Sequence, residues 1–355
     1  VPRSPIITVS RGRFSPTAAQ VLEHVRSAGR AHRDEIAAAC GLSIATVGRT
    51  AAQLAELGLL RERPDLARPG LTGRPGVPVE IDPDHYVTLG FHVGRRIATV
   101  ALGDLTGRVL ASRTVRRPLG ADPDLEQLSR VGAALLGTLP GRIPLAAGLV
   151  APWREIGLVP TEREHELRDL TGLPVRTGDH ISAVAASEFL HRRHGIGGMT
   201  LYVYARDTFG WSVAVDRGVQ TDVTRAASLT HFPTGSRIPC SCGRTGCLAA
   251  SVPSLSPADR ARTLGAVAGS VRDMLSPDRV VLVGQAFTGD PEQLDAVVGS
   301  YDEHTALDHA VPVSFTRFGE DIQAISACTV ALGPVLDDPQ GCVDAAGACR
   351  RRRGA

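Results

Sequence analysis

Residues 230–249 read "THFPTGSRIPCSCGRTGCLA". Three cysteines, Cys240, Cys242 and Cys247, fall within eight residues, and His231 precedes the first of them by nine. Such a cluster has three readings: a metal site, a redox pair or a disulfide knot. The compartment separates them. The N-terminal stretch "VPRSPIITVSRGRF" lacks a hydrophobic signal core followed by a small-residue cleavage site. No run of about 18 apolar residues marks a membrane span. A cytoplasmic protein is therefore expected, and disulfides are rare there. Seven cysteines is an odd number, and C-x-C-x4-C spacing in a reducing compartment favours metal.

The surrounding chain has 355 residues, enough for two or three domains and a large core. A hydrophobic content of 43% is ordinary for a soluble protein, and a formal charge of +2 carries no strong signal. There is no lysine, so all 39 basic residues are arginines. With abundant Ala, Gly and Pro, this is first a coding bias of a GC-rich genome. It also excludes any mechanism that needs a phosphate-binding P-loop lysine.

Residues 84–335, which hold the cysteine cluster, alternate strand-like and helix-like segments. Val87–Val93 and Ile97–Leu102 read as paired strands, with a turn at Asp104-Leu105-Thr106-Gly107 before a third. Later strands are "LAAGLV", "LPVRTG", "MTLYVYA", "WSVAVDRG" and "DRVVLVG", with helices such as Asp124–Leu139 and Ser182–His194 between them. The pattern predicts an α/β domain in two sheet lobes. Residues 1–14 read as an N-terminal arm, and residues 336–355, ending in "CRRRRGA", as a disordered arginine-rich tail.

Residues 15–82 read as a separate helix-rich unit. Ser15-Pro16 is an N-cap followed by proline at the first helical position. Val21, Leu22 and Val25 supply an apolar stripe. In "HRDEIAAACGLSIATVGRTAAQLAELGLL", Ile36, Ala37 and Cys40 suit a short inward-packed helix, and Gly41 permits a tight turn. Ser43 caps a second helix with Val47, Ala51, Leu54 and Leu57 on one face, and Gly58 ends it. This is a helix-turn-helix pattern. Ser43, Thr46, Arg49 and Thr50 make a small, polar or cationic face suited to a DNA major groove. A β-hairpin wing follows, with strands at Leu59-Leu60 and Val77–Ile81. Between them Arg68 and Arg74 sit among Gly and Pro, a composition that suits a narrow minor groove and equally suits a flexible linker. Residues 1–80 hold eleven arginines against seven acidic residues, so DNA affinity must come from local placement and doubling.

A winged helix-turn-helix followed by an α/β domain containing His…C-x-C-G-x-x-G-C resembles the ROK family of repressors, open reading frames and sugar kinases. The resemblance covers nearly the whole chain, and the His/Cys element is its most specific part. It implies a hexokinase/actin-like, two-lobed ROK domain. It also implies a structural zinc on His231, Cys240, Cys242 and Cys247, a closed tetrahedral set of one imidazole and three thiolates.

The resemblance to the family's kinases breaks at each functional position. Their phosphate loop is D-x-G-G-T; here "FHVGRR" puts His92 at the aspartate and Arg95 and Arg96 at the Gly and Thr. Their N-D-x-N pattern becomes "GDHISAVAASE". Aligned through Glu188, His180 falls on the catalytic aspartate; a one-residue shift puts Asp179 there. G-E-x-G-H becomes "ASLTH", with Ser228 at the glutamate, and G-C-L-E becomes "GCLA", with Ala249. A transcriptional regulator, a repressor and not an enzyme, is therefore expected. Its partners would be double-stranded DNA with a palindromic operator, a second copy in a dimer or tetramer, and a small-molecule effector that need not be a sugar. Asp179, His180, Ser228 and His231 are the candidate effector-pocket residues. The alternatives are a sugar kinase with an accessory DNA-binding domain and a DNA-tethered scaffold that answers to a protein partner.

Overall fold

The computed structural model describes residues 7–8, 17–67, 76–191, 198–215, 218–220, 228–303, 306–307, 309–316 and 318–353. The chain forms two compact units. The first comprises Thr8–Ala183, Leu190–Arg193 and Gln323–Ala355; the second comprises Val1–Ile7, Val184–Phe189 and His194–Ile322.

After a short strand β1 (Ile7–Thr8), helix α1 (Thr17–Ala28) buries Val21, Leu22 and Val25, the stripe expected from their spacing. Strand β2 (Arg30–Ala31) leads into α2 (Arg33–Cys40). Its start is fixed by Glu35, whose carboxylate accepts from the His32 backbone N–H at 2.8 Å, half of a capping box. Gly41, with φ +66°, ends α2 in the left-handed conformation that glycine adopts without strain. Helix α3 (Ile44–Glu56) follows, with Val47, Ala51 and Leu54 buried. Strands β3 (Leu60–Glu62) and β4 (Val79–Ile81) pair antiparallel as the wing, and β2 pairs with the other edge of β4. The helix expected from Ser15-Pro16 and the wing residues Arg68 and Arg74 begin in or lie in segments outside the described residues.

The first unit continues with β5 (Tyr86–Val93), β6 (Ile97–Gly103), β7 (Val109–Arg116), α4 (Leu125–Gly137), β8 (Ile143–Ala151), α5 (Trp153–Ile156), α6 (Pro160–Thr171), β9 (Val175–Asp179) and the two ends of α7 (His180–His191), whose middle residues Val184–Phe189 fall in the second. The sheet order is β7-β6-β5-β8-β9. β5, β6 and β7 form an antiparallel meander, whereas β8 and β9 run parallel to β5. Parallel pairing needs crossovers, and α4 and α6 supply them. Every residue of β5 is buried, as a central strand covered on both faces requires.

The second unit holds β10 (Met199–Ala205), β11 (Phe209–Val215), β12 (Gly218–Gln220), α8 (Leu248–Ser251), α9 (Pro257–Leu275), β13 (Arg279–Val283), α10 (Gln285–Thr288), α11 (Leu294–Glu303) and β14 (Val313–Phe315). Its sheet runs β1-β12-β11-β10-β13-β14. Leu201, Val203, Leu264, Val271, Leu282 and Tyr301 lie in its core.

Helices α12 (Ile322–Asp337) and α13 (Pro339–Arg353) bring the chain back to the first unit from Gln323 onward. α13 corrects the expectation of a disordered tail. Asp338 accepts from the Gly341 N–H at 3.0 Å, and Pro339 starts the helix with φ already set. Cys342 and Ala346, one turn apart, are buried in the same cluster as Val21, Leu22 and Leu54 of the helix-turn-helix. That cluster also takes in Tyr86, Leu145, Leu332 and Val335, so residues 17–81 do not form a separate unit with a core of their own. The Tyr86 hydroxyl donates to the Leu57 carbonyl at 2.8 Å across the same junction.

α12 lies hard against β5 and β8 at two glycines. A Cβ on Gly90 would come within 2.6 Å of the Cys328 backbone nitrogen, and one on Gly148 within 2.4 Å of the Ala331 nitrogen. Since both obstacles are backbone, Gly148→Ala is expected to push α12 off the sheet and cost about 1–3 kcal/mol, the usual penalty for overpacking. Urea denaturation of the intact protein measures it; an unchanged midpoint would show that the contact yields freely.

Candidate nucleic-acid interface and metal centre

Helix α3 is anchored at its start by Ser43. The Ser43 Oγ accepts from the Thr46 backbone N–H at 3.1 Å and lies 2.8 Å from the Thr46 Oγ1. Two of the four expected groove residues are thus already engaged with each other as an N-cap. Ser43 and Arg49 are exposed, whereas Thr46 and Thr50 are half-buried. Arg49 makes no ion pair among the described residues. The wing arginines differ from it. Arg61 reaches Glu80 at 2.7 Å and Asp84 at 2.9 Å, and Arg63 reaches Asp65 at 2.6 Å and Glu80 at 2.9 Å. Their charge is spent within the wing. Ile44 and Ala45, both exposed on the first turn of α3, are outward-facing residues that sequence reasoning missed. Ile44 shares the i, i+3, i+7 pattern of Val47 and Ala51, which predicts burial; the helix ends before any core reaches it.

In the second unit His231, Cys240, Cys242 and Cys247 converge, their ligand atoms all within 4.8 Å of one another. The Cys240 Sγ lies 3.7 Å from the His231 Nδ1, and the Cys242 Sγ lies 3.6 Å from the Cys247 Sγ. A tetrahedral zinc with ordinary Zn–S and Zn–N bonds has S–S edges of about 3.8 Å and S–N edges of about 3.6 Å. The donor set and the spacing fit such an ion. The loop is built for this convergence. The Cys240 N–H donates to the Arg244 carbonyl at 2.8 Å, and Gly243 and Gly246 have φ of +86° and +71°. A Cβ on Gly246 would also strike the Ser236 carbonyl at 2.4 Å. The Arg244 backbone N–H and then its guanidinium pull the Cys242 thiol down to about 6, while burial pushes the Cys247 thiol up to about 11. Arg244 thus favours the thiolate form of Cys242, a second feature missed in the sequence.

The candidate pocket residues divide between the units. Asp179 and His180 belong to the first, at the junction of β9 and α7; Ser228 and His231 belong to the second. Asp179 accepts from the Ile181 N–H at 2.9 Å and the Ser182 N–H at 3.4 Å, and its other oxygen lies 3.5 Å from the His180 Nδ1. Burial alone would raise its carboxyl. His180 and the two amides outweigh that and hold it below the ordinary carboxylate range. The Ser228 hydroxyl donates to the Thr230 Oγ1 at 2.7 Å. His92 is buried at the end of β5, and Arg95 and Arg96 are exposed at the tip of the β5–β6 hairpin, closed by Gly94 N–H donating to the Ile97 carbonyl at 2.8 Å.

A helix-turn-helix and wing fused to a two-unit α/β body, with a His/Cys3 cluster in the second unit, define a DNA-binding regulator built on a sugar-kinase fold. The profile of the IclR helix-turn-helix domain matches residues 18–64. A transcriptional regulator of Mycobacterium tuberculosis and one of Mycobacterium bovis are each 33% identical to this chain over 94% of its length and 89% of theirs. The crystal structure of a ROK family transcriptional regulator, a homologue of the Escherichia coli Mlc protein, superposes with a TM-score of 0.68 at 19% identity, covering 92% of this chain and 98% of that one. The ROK hexokinase of Thermus thermophilus superposes with a TM-score of 0.56 at 22% identity; 99% of it is covered but only 70% of this chain. The kinase fold thus matches about 70% of the chain and leaves a remainder longer than the helix-turn-helix. The chain belongs to the family of these mycobacterial transcriptional regulators, and it has the fold of ROK proteins.

Because the Ser43 hydroxyl holds the first turn of α3, Ser43→Ala is expected to lower stability by about 1 kcal/mol. Thermal denaturation of wild type and variant at one protein concentration is the check. Equal midpoints would mean that the cap contributes nothing.

Proposed function

We propose that the chain is a repressor that binds a palindromic operator as a dimer or tetramer, holds one structural zinc, and transfers no phosphate. The observation that carries the DNA reading is Arg49, exposed on α3 with no ion pair among the described residues, whereas Arg61 and Arg63 are neutralised locally. One helix-turn-helix reads only a few base pairs, so two copies on a symmetric axis are needed for a useful site. Arg68 and Arg74 join Ser43, Thr46, Arg49 and Thr50 as proposed contacts, the two wing residues through the minor groove.

Four protein ligands leave zinc no open position, which supports a structural role. When bound, the ion cross-links a loop that has little apolar core of its own. The phosphate loop of a kinase needs backbone amides that phosphate can approach, and Arg95 and Arg96 crowd it. Ser228 and Ala249 supply no carboxylate for sugar hydroxyls. An effector less rich in hydroxyls than a sugar suits these losses; a thermal-shift screen with sugars, sugar phosphates and other metabolites would find it.

Arg49→Ala is expected to weaken operator binding by roughly 1–3 kcal/mol if it reads a base edge. Wild-type protein that binds a selected operator no better than random duplex would overturn the reading. Elemental analysis of protein purified without chelator should give one zinc per chain, and Cys242→Ser should lose it and melt earlier, since metal binding is coupled to folding. A coupled kinase assay over common hexoses and amino sugars should show no turnover. Turnover that vanishes in Asp179→Asn would make the chain an enzyme after all.

A further inference from the structure

Ile44 is the first residue of α3 and is 60% exposed. No other large apolar side chain among the described residues of the helix-turn-helix stands so far into solvent. Stability does not account for it. A β-branched residue is a weaker helix former than alanine, and this one covers no core. At 100° per residue, Ile44, Gly48, Ala52, Ala45, Arg49 and Gln53 fall in that order round α3, all exposed except Gly48, which is half-buried. Ile44 and Arg49 lie on this same side of the helix, about 140° apart. Gly48 is a second oddity. Glycine in mid-helix weakens the helix, yet a Cβ there would meet no atom within 4 Å, so packing does not demand it. Two residues that cost the free protein stability lie one turn apart, on the helix proposed above to enter the major groove.

Both make sense against a groove floor. The only apolar group that the major groove offers is the C5-methyl of thymine, and an aliphatic side chain at the end of a recognition helix can cover it. Small residues next to it let the helix axis approach the bases. We infer that Ile44 is a specificity-determining residue that selects a thymine methyl in each operator half-site, with Gly48 allowing the approach. The inference rests on the operator reading above and adds the base that α3 requires.

The experiment begins with an operator obtained by selecting random duplexes with the full-length wild-type protein. Each thymine is then replaced singly by deoxyuridine, which removes the methyl and leaves base pairing intact, and binding is measured by fluorescence anisotropy at fixed salt. One position per half-site should weaken wild-type binding about fourfold, the effect of uncovering one methyl-sized group. Ile44→Ala should bind the thymine and deoxyuridine duplexes alike, with its melting temperature unchanged or raised. Gly48→Ala should melt higher yet bind the operator more weakly. Wild-type binding indifferent to every methyl, or methyl discrimination retained in Ile44→Ala, overturns the inference while operator binding stands. Undiminished affinity in Gly48→Ala overturns the close-approach part. If selection enriches no sequence, the operator reading falls first and this inference with it.

Discussion

The helix-turn-helix and the first α/β sheet share one hydrophobic core. A segment of about 65 residues buries too little surface to be robust alone. Here Val21, Leu22, Val47 and Leu54 pack in one cluster with Tyr86, Leu145, Leu332 and Cys342. Much of the rest depends on this junction. It fixes where the wing ends, since β4 is followed within a few residues by β5. The junction itself is pinned on its polar rim, where Arg142 donates to the Pro83 carbonyl and reaches Asp84 at 3.3 Å. It also recruits the C-terminal helix, whose small buried residues would have little reason to order without a partner surface.

Close backbone approach is the second recurring device. Gly90 and Gly148 bring α12 down onto the central strands, so the layer that carries α13 is set by two positions without side chains. The cysteine loop uses glycine differently. Gly243 and Gly246 turn the chain through left-handed conformations so that sulfurs close in sequence also meet in space. In the first case the contact is cemented by apolar burial. In the second, much of the loop is exposed, and a bound ion of the kind proposed would take over the role of a core.

Much of this was legible in the residues. Strand β10 coincides with "MTLYVYA", because alternating β-branched and aromatic residues between turn signals leave little freedom. The Ser43 cap and the Gly41 turn follow from local chemistry and came out as expected, and the four residues that the family resemblance groups as ligands converge in space. What did not come out was decided by contacts distant in sequence. α13 is rich in Ala, Gly and Arg and has almost no amphipathic signal; only the surface it meets distinguishes it from a tail. Thr46 and Thr50 look like groove residues by type, but both are half-buried. Ile44 matches a buried pattern that has run past the end of its core. The involvement of Arg61 and Arg63 with Glu80 depends on the register of β3 against β4, which strand propensity does not specify.

The shared core has a geometric consequence. A recognition helix on a flexible tether can swivel to meet whatever spacing the duplex presents. α3 has no such tether, because it is packed into the body that also holds β5 and β8. When two copies associate, the span and twist between their recognition helices are inherited from the contact between the larger bodies. B-DNA turns by roughly 35° for each base pair. On the dimeric reading proposed above, one base pair added between half-sites rotates the second out of phase with a helix held in the body. Operators for the chain would then form a set of fixed pitch, with the spacing written into the α/β body and not into α3.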